Sequence, residues 1–167
     1  EYAAVALRSQ DMTRHAITDL LAFLAGHQEF STVRRYNAML KIPAVYQQVM
    51  FEINQGLLDK VVIYGYHKEP LNILARQFNS AGGPFAVVVH GDTPVKDRDG
   101  LVQSWKQPDG PKVLLASIIA AGVVLDFTEA HQGIMLELDW VPGNNFQAMQ
   151  RMHRIGQKYP VSIRVAN

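Results

Sequence analysis

The apolar positions of this chain follow two periods, one typical of helices and one typical of strands. From about Thr13 to Gly26, leucine and isoleucine recur three and four residues apart, the spacing of one helix face. A second helix is predicted to begin at Pro43, because proline favours the first helical turn, and to end near Gly56. The polar, basic segment STVRRYNAML between them is predicted to be a connection or a short helix.

Short runs of β-branched and aliphatic residues follow and predict five strands. The runs are KVVIYGY, FAVVVHG, KVLLAS, GIMLELD and VSIRVA. A helical pattern lies between the first two, with Leu71, Leu74, Ala75 and Phe78 on one face. Nearly continuous apolar strands that alternate with helices indicate a mainly parallel sheet covered on both faces. We therefore predict an α/β domain of three layers, preceded by an N-terminal helical segment.

The length of the chain indicates a single domain, and its charge limits the kinds of binding that it can have. With 167 residues, 48% of them hydrophobic, the chain is long enough for one domain with a real core. We predict a helical lead-in over residues 1–41 and the sheet domain over residues 42–167. A net charge of +1 excludes a basic field over the whole domain, so any nucleic-acid binding must be local. Cysteine is absent, which excludes disulfides and thiolate sites.

The sequence shows no secretory signal, and its first residue is Glu1. We interpret the chain as an excised domain of a longer protein and expect it to be monomeric. No apolar run approaches about eighteen residues, so we expect no membrane partner.

Residues that follow the strands are the first candidates for chemistry, because ligands of parallel sheets bind beyond the carboxyl ends of the strands. In HGDTPVKDR, Thr93 is predicted to cap a helix whose first residue is Pro94. The free amides of such a helix start could hold a phosphate, or the cap could be purely structural. In ASIIAAG, Ser117 and Gly122 would let a nucleotide or a DNA backbone approach closely, although small residues also serve ordinary packing.

The segment QAMQRMHRIGQ carries the strongest signal. A helix that begins near residue 144 or 145 would place Gln147, Arg151 and Arg154 on one face. A guanidinium is permanently charged and matches two phosphate oxygens at once, so a pair of arginines suits a nucleotide phosphate chain. A solvated basic face is the alternative. Lys158 and Arg164 lie outside this helix face, and we expect their replacement to matter little.

The run ELDWVPGNNFQAMQRMHRIGQ resembles the closing motif of Swi/Snf-type helicase-like ATPases, which carries DxxWxP and then QAxxRxHRIGQ. The likeness continues through AAGVVLDFTEA, VVVHGDTPVKDR and KVVIYGYHKEPLNILARQF and covers about residues 30–167. It implies the second, C-terminal lobe of such a motor, with a RecA-like fold. The combination of GDTPxxxR, AAG and ELDWxPG is most similar to the branch of annealing helicases and their bacterial and phage relatives.

The resemblance also implies roles for individual residues. Arg151 and Arg154 align with the catalytic arginines that such a lobe inserts at the γ-phosphate of ATP. The nucleotide contacts it implies are Gln147, Gly122 and Asp126. The implied contacts to DNA phosphates are Tyr66, His67, Asp92, Thr93, Ser117 and Thr128. No residue is expected to bind a metal. Trp140 is expected to be buried and to brace the closing motif.

The cofactors and partners that the resemblance implies lie largely outside this chain. The complete protein would use ATP and Mg²⁺, with the metal ligands on its first lobe, since this sequence has no GxxxxGK followed by Ser or Thr and no DExH-like box. The expected partners are that N-terminal RecA-like lobe and double-stranded or branched DNA. The expected location is the cytoplasm, at the nucleoid or in a phage-infected bacterium, or the nucleus in a eukaryote. Alone, the chain should not hydrolyse ATP.

Departures from the family pattern keep other functions open. Val124 replaces a usual glycine, and Asp126 and Glu129 would repel DNA phosphates if they faced the duplex. One alternative is a degenerate lobe that binds DNA or a protein without turnover. Another is a metallohydrolase, although its candidate ligands fit no known spacing. Those candidates are His90, Asp92, Asp139 and His153.

Overall fold

The protein is described by a computed structural model over residues 28–80, 85–120 and 125–167. The helix predicted from about Thr13 to Gly26 lies outside these ranges. The described helices and strands are α1 (Gln28–Asn54), β1 (Val61–Gly65), α2 (Lys68–Asn79), β2 (Ala86–Val89), α3 (Val95–Lys106), β3 (Val113–Ser117), β4 (Gln132–Met135), α4 (Pro142–Met149) and β5 (Ser162–Val165). The chain divides into two compact units, Glu1–Tyr36 and Asn37–Asn167, and the sheet belongs wholly to the second. The predicted division at residues 41 and 42 stays a prediction.

The sheet has five strands in the order β2-β3-β1-β4-β5, and every neighbouring pair is parallel. All five predicted strands are present, and each is shorter than the apolar run that predicted it. The central strand β1 is buried at all five positions, as is β3 beside it. Strands buried on both faces need no polar alternation, which explains their continuous apolar sequence. The prediction of a parallel α/β sheet flanked by helices is confirmed.

Two apolar cores lie on the two faces of this sheet. Val61 and Ile63 of β1 pack into one core with the buried sides of α1 and α2. Val62 and Tyr64 point to the opposite face and pack with α3, α4 and residues 125–130. Successive side chains of a strand alternate between faces, so the one strand serves both layers. The carboxyl ends of the strands are left outside both cores, at one edge of the sheet.

The helix predicted to begin at Pro43 instead begins at Gln28, so that prediction is wrong. Pro43 lies inside α1 and is exposed. The buried positions Ala38, Ile42, Val45 and Val49 are spaced by three and four residues on both sides of it. This continuous apolar face packs on the sheet, and its burial outweighs the backbone hydrogen bond that a proline removes.

An ion pair joins α1 to the edge strand β5. Arg164 donates to both carboxylate oxygens of Glu52, at 2.6 and 2.8 Å, and lowers the pKa of that carboxyl. Lys41 donates to the carbonyl of Ala166, the residue that follows β5, at 2.8 Å. Arg164 therefore contributes to the fold, while the expectation that its replacement matters little for ATP turnover stays a prediction. Its two-point bond with the half-buried Glu52 is stronger than an ion pair that is made through a single contact.

A buried lysine, Lys60, binds backbone carbonyls at the end of α3, a role that no pattern in the sequence predicted. Lys60 is 4% exposed, and its ammonium donates to the carbonyls of Trp105, Gln107 and Pro111 at 2.6, 2.7 and 3.0 Å. A longer contact of 3.4 Å reaches Gly110. The last carbonyls of a helix lack partners within it and attract a positive charge, so Lys60 satisfies them from the start of β1.

Candidate functional site

Five of the predicted DNA contacts lie at the carboxyl edge of the sheet. Tyr66 and His67 follow β1, and Asp92 and Thr93 follow β2, while Ser117 ends β3 between these two strands. Ser117 stands in register with Gly65, and the amide of the next residue donates to the Gly65 carbonyl at 2.9 Å. Ser117 is only 5% exposed, whereas Asp92 is exposed. The edge therefore presents the segments after β1 and β2 to solvent and keeps the end of β3 beneath them.

Glu137 holds the segment after β1 in place. Its Oε2 accepts hydrogen bonds from the backbone amides of Tyr66 and His67 at 3.0 and 2.9 Å, and its Oε1 lies 2.6 Å from His67 Nδ1. A carboxylate on Nδ1 fixes the orientation of the imidazole ring. Gly65 is needed beside this contact, because a Cβ there would lie 2.8 Å from Leu71 Cδ2. Glu137 therefore has a structural role, because it fixes both the backbone after β1 and the ring of His67.

Replacing Glu137 by alanine should destabilise the chain by about 3 kcal/mol, because two backbone amides lose their buried acceptor at roughly 1–3 kcal/mol each. Glu137→Gln should cost less, since its one remaining oxygen can still accept from both amides. Urea unfolding measures both values. The exposed Glu129 provides the control, and Glu129→Ala should change stability by less than about 0.5 kcal/mol. Equal stabilities for the two alanine variants would mean that the contact of Glu137 with these two amides does not stabilise the fold.

The segment after β2 is closed by its own side chains, and Thr93 is not the predicted helix cap. The residue before α3 is Pro94, which makes no side-chain cap, and Thr93 Oγ1 instead accepts the amide of His90 at 3.1 Å. Arg98 reaches back from α3 and donates to the carbonyls of Thr93 and Gly91. Pro94 has an extended ψ of 137°, so the helix begins at Val95 and Thr93 lies one residue too early to cap it; its hydroxyl closes the turn instead. The exposed Asp92 pairs with Lys68 at the start of α2, which lowers the pKa of its carboxyl.

Asp126 and Thr128 lie apart from these residues, near the amino ends of the strands. Lys106 at the end of α3 pairs with Asp126, and Thr128 donates to the same carboxylate through both its amide and its hydroxyl. Thr128 also lines a cleft of about 400 Å³ with Asp59 and Lys60, which precede β1. The charge of Asp126 is therefore balanced within the chain. Gly122 and Val124 lie outside the described residues.

The arginine segment does not form the predicted helix face. Helix α4 runs from Pro142 to Met149, so Arg151 and Arg154 lie beyond its end. The amides of Arg151 and Met152 donate three residues back, in a turn, and the Arg151 carbonyl accepts the amide of Phe127 at 2.9 Å. Met152 is fully buried against Gly133, where a Cβ would lie 3.0 Å from its sulfur. Burial of Met152 and pairing with Phe127 thus replace the helical bonds that would have continued α4.

Gln157, the last residue of QAMQRMHRIGQ, completes this turn. Its side-chain amide donates to the carbonyls of Thr128, Ala130 and Met152 at 3.1, 2.9 and 3.1 Å. Gly156 before it has a φ of 107°, a conformation that other residues rarely adopt. The last two residues of HRIGQ therefore fix the backbone that carries the two arginines.

The two guanidiniums lie close enough to influence each other. Burial lowers the pKa of Arg151, and the positive charge of Arg154 lowers it further, while Tyr64 acts in the opposite direction. Arg151 is half-buried, and Arg154 and Gln147 are exposed. Both arginines stay charged, because a guanidinium does not lose its proton in proteins. Repulsion between two such charges is relieved by an anion that binds both, as a phosphate chain would.

Asp139 is buried and Trp140 is not, which contradicts the expectation of a buried Trp140. The backbone amide and carbonyl of Asp139 bond to the side chain of Asn145, and its carboxylate accepts the amide of Val141 and the side-chain amide of Asn144. These bonds turn the chain into α4 with Asp139 facing inward. Trp140 is consequently turned outward and 58% exposed. The tryptophan that is buried in a core is Trp105 of α3, which has no exposed surface.

The four candidates for a metallohydrolase do not form one site. His90 follows β2 and Asp139 lies beyond β4, with β3 and β1 between them, a separation of about 14 Å at usual strand spacing. Within the described ranges no three His, Cys, Asp or Glu residues are grouped to hold a metal ion. In the same ranges, no helix has the length and apolar character to cross a membrane.

Residues 41–156 match the family model described as "Helicase conserved C-terminal domain". This range begins inside α1 and ends at Gly156, so it includes the sheet edge, the Glu137 contact and both arginines.

Individual relatives agree with this match. The DNA repair and recombination protein RDH54 of Saccharomyces cerevisiae is 34% identical over 111 residues, which are 66% of this chain and 12% of that protein. The SWI/SNF-related matrix-associated actin-dependent regulator of chromatin subfamily A-like protein 1 of Xenopus tropicalis is 30% identical over 75% of this chain and 13% of its own length. The C-terminal part of the Fun30 ATPase domain, a crystal structure, superposes with a TM-score of 0.66 at 24% identity, covering 75% of this chain and 39% of that one. The RecA-like fold is thereby confirmed. The chain spans about an eighth of the length of these curated relatives.

Proposed function

The chain belongs to the family of helicase conserved C-terminal domains, and from this premise we propose that it is the second motor lobe of a Swi/Snf-type, DNA-dependent ATPase. The observation that carries the proposal is the neighbouring pair Arg151 and Arg154, fixed beyond α4 by buried Met152 and by Gln157. In the proposed reaction, both guanidiniums reach the γ-phosphate of ATP when the two lobes close. There they stabilise the charge that develops during phosphoryl transfer.

The residues of this chain fit one side of a nucleotide site. The paired guanidiniums match phosphate oxygens, while the sequence lacks a phosphate loop and an acidic box for Mg²⁺. ATP with Mg²⁺ would supply the phosphoryl group and the metal charge from an N-terminal RecA-like lobe, which we propose as the partner. Gln147 is exposed at the end of α4 and suits a polar contact there. Asp126, which is paired with Lys106, suits a structural role better than a nucleotide contact.

We propose that the carboxyl edge of the sheet contacts DNA through backbone phosphates. Tyr66, His67 and Thr93 lie on segments that hydrogen bonds within the chain hold in place, and the charge of Asp92 is offset by Lys68. Contacts of this kind position a motor on a duplex without reading its sequence. Thr128 lies near the opposite edge, so its proposed DNA contact would require a second stretch of backbone.

The finer placement among annealing helicases with bacterial and phage relatives is a proposal that rests on GDTPxxxR, AAG and ELDWxPG. The relatives named above come from a yeast and a frog and lend no support to its bacterial and phage part. One of them is a DNA repair and recombination protein, and the other is a regulator of chromatin. A chromosomal DNA substrate, and a nuclear location if the source is eukaryotic, follow most directly from these names.

The isolated chain should show no ATP hydrolysis, with or without duplex DNA, while the complete protein hydrolyses ATP when DNA is present. Half a nucleotide site has no phosphate cradle and no metal ligands, so no turnover is expected from it. A phosphate-release assay on both proteins measures this. Hydrolysis by the isolated chain that survives repurification would refute the two-lobe proposal. A complete protein that binds DNA but never hydrolyses ATP would favour a degenerate binding lobe.

A further inference from the structure

Tyr64 is a buried residue whose hydroxyl has no evident structural purpose. It is the fourth residue of β1 and has no exposed surface. Within the part of the chain that the structure describes, its hydroxyl oxygen finds no hydrogen-bond partner. A buried hydroxyl without a partner destabilises a fold, whereas phenylalanine would fill nearly the same volume without that cost. The hydroxyl therefore opposes stability at the centre of the sheet.

The surroundings of Tyr64 lead directly to the arginine turn. Its ring lies 6.3 Å from the ring of Phe127, whose amide donates to the carbonyl of Arg151 at 2.9 Å. The same core contains Met152, the next residue. The Nε atom of Arg151 is itself buried, so its side chain leaves the turn on the core side before reaching solvent. Burial raises the pKa of Tyr64, and the nearby charge of Arg151 opposes that rise.

We propose that Tyr64 is a positioning residue for Arg151: in the closed motor, an N–H of the Arg151 guanidinium donates to the Tyr64 hydroxyl oxygen and fixes the plane of the fork. This inference rests on the proposed function. The hydroxyl does not touch ATP; it acts on the edge of the guanidinium that faces the core, and the other edge meets the phosphate oxygens. A stability cost retained next to a catalytic group is a common feature of functional sites.

The test is Tyr64→Phe in the complete protein, which removes only the hydroxyl. We expect DNA-stimulated kcat to fall about tenfold, the value of one hydrogen bond made in the transition state, with KM for ATP nearly unchanged. The melting temperature should stay equal or rise, because no bond of the folded lobe is lost. In an Arg151→Ala background, Tyr64→Phe should lower kcat no further. Tyr46→Phe is the matched control on the opposite face, where Tyr46 packs on Phe78 at 5.1 Å, and it should leave kcat unchanged.

Each outcome separates this inference from the function on which it rests. If Tyr64→Phe keeps full kcat while Arg151→Ala abolishes turnover, Tyr64 is an ordinary core residue and only the inference fails. The inference also fails if kcat and melting temperature fall together, or if the effects of Tyr64→Phe and Arg151→Ala simply add. If Arg151→Ala leaves turnover unchanged, both the proposed function and the inference about Tyr64 fail.

Discussion

Arg151→Ala or Arg154→Ala in the complete protein should reduce ATP turnover by about a thousandfold or more, equivalent to roughly 4 kcal/mol of transition-state stabilisation. Folding and DNA affinity should stay nearly intact. Arg154 is exposed, and its removal relieves the repulsion that adds to burial in lowering the pKa of Arg151. The loss is therefore expected in kcat, measured at saturating ATP and DNA, with little change in melting temperature.

Lysine at these positions should rescue turnover poorly. It keeps the charge but loses the planar fork that bridges two phosphate oxygens, so Arg154→Lys should lie nearer to alanine than to wild type. The matched control is Arg76→Ala, since Arg76 is an exposed arginine in the last turn of α2. Arg164 cannot serve, because its bond with Glu52 makes it structural. If turnover fell only in proportion to the melting temperature, the arginines would be structural. If turnover did not change, they would form a solvated basic face without a catalytic role.

The sheet could be predicted from the sequence because its signal is local. Each strand is a short apolar run, and burial on both faces removes any need for alternation, so KVVIYGY and KVLLAS predict central strands directly. The polar segments that follow them could be predicted to meet at one edge, because parallel strands end together. The order of the strands within the sheet was not predicted, since long-range pairing leaves no local pattern.

The errors lie where a distant contact overrides a local preference. Pro43 favours a helix start, yet an apolar face that spans it keeps α1 continuous. The residues after Met149 suit a helix, yet the pairing of Arg151 with Phe127 and the burial of Met152 end α4. Glu137 contacts Tyr66 and His67, which lie 71 and 70 positions before it in the sequence. Sequence spacing alone carries no record of such partners.

Lys60 provides the second large expected effect, this time on stability. Lys60→Met should destabilise the chain by about 3 kcal/mol, because the change keeps most of the buried volume but removes the donor to the carbonyls of Trp105 and Pro111, at roughly 1–3 kcal/mol each. The carbonyl of Gln107 keeps the amide of Gly110 as a donor. Burial lowers the pKa of Lys60, so burying this ammonium has a cost, which methionine avoids. The expected loss is the difference between these two effects. Urea unfolding at neutral pH measures it.

Lys112→Met is the control for this change, because Lys112 lies at the start of the neighbouring strand and pairs with the exposed Asp59 at 2.9 Å. An exposed ion pair contributes about 0–1 kcal/mol, so this variant should remain close to wild type. If Lys60→Met were as stable as Lys112→Met, the carbonyls would have found water in place of the ammonium. A large loss of stability in Lys60→Met alone would instead show that the end of α3 depends on the charge of Lys60, which immediately precedes β1. No helical pattern in the sequence could have identified this lysine as a partner of α3.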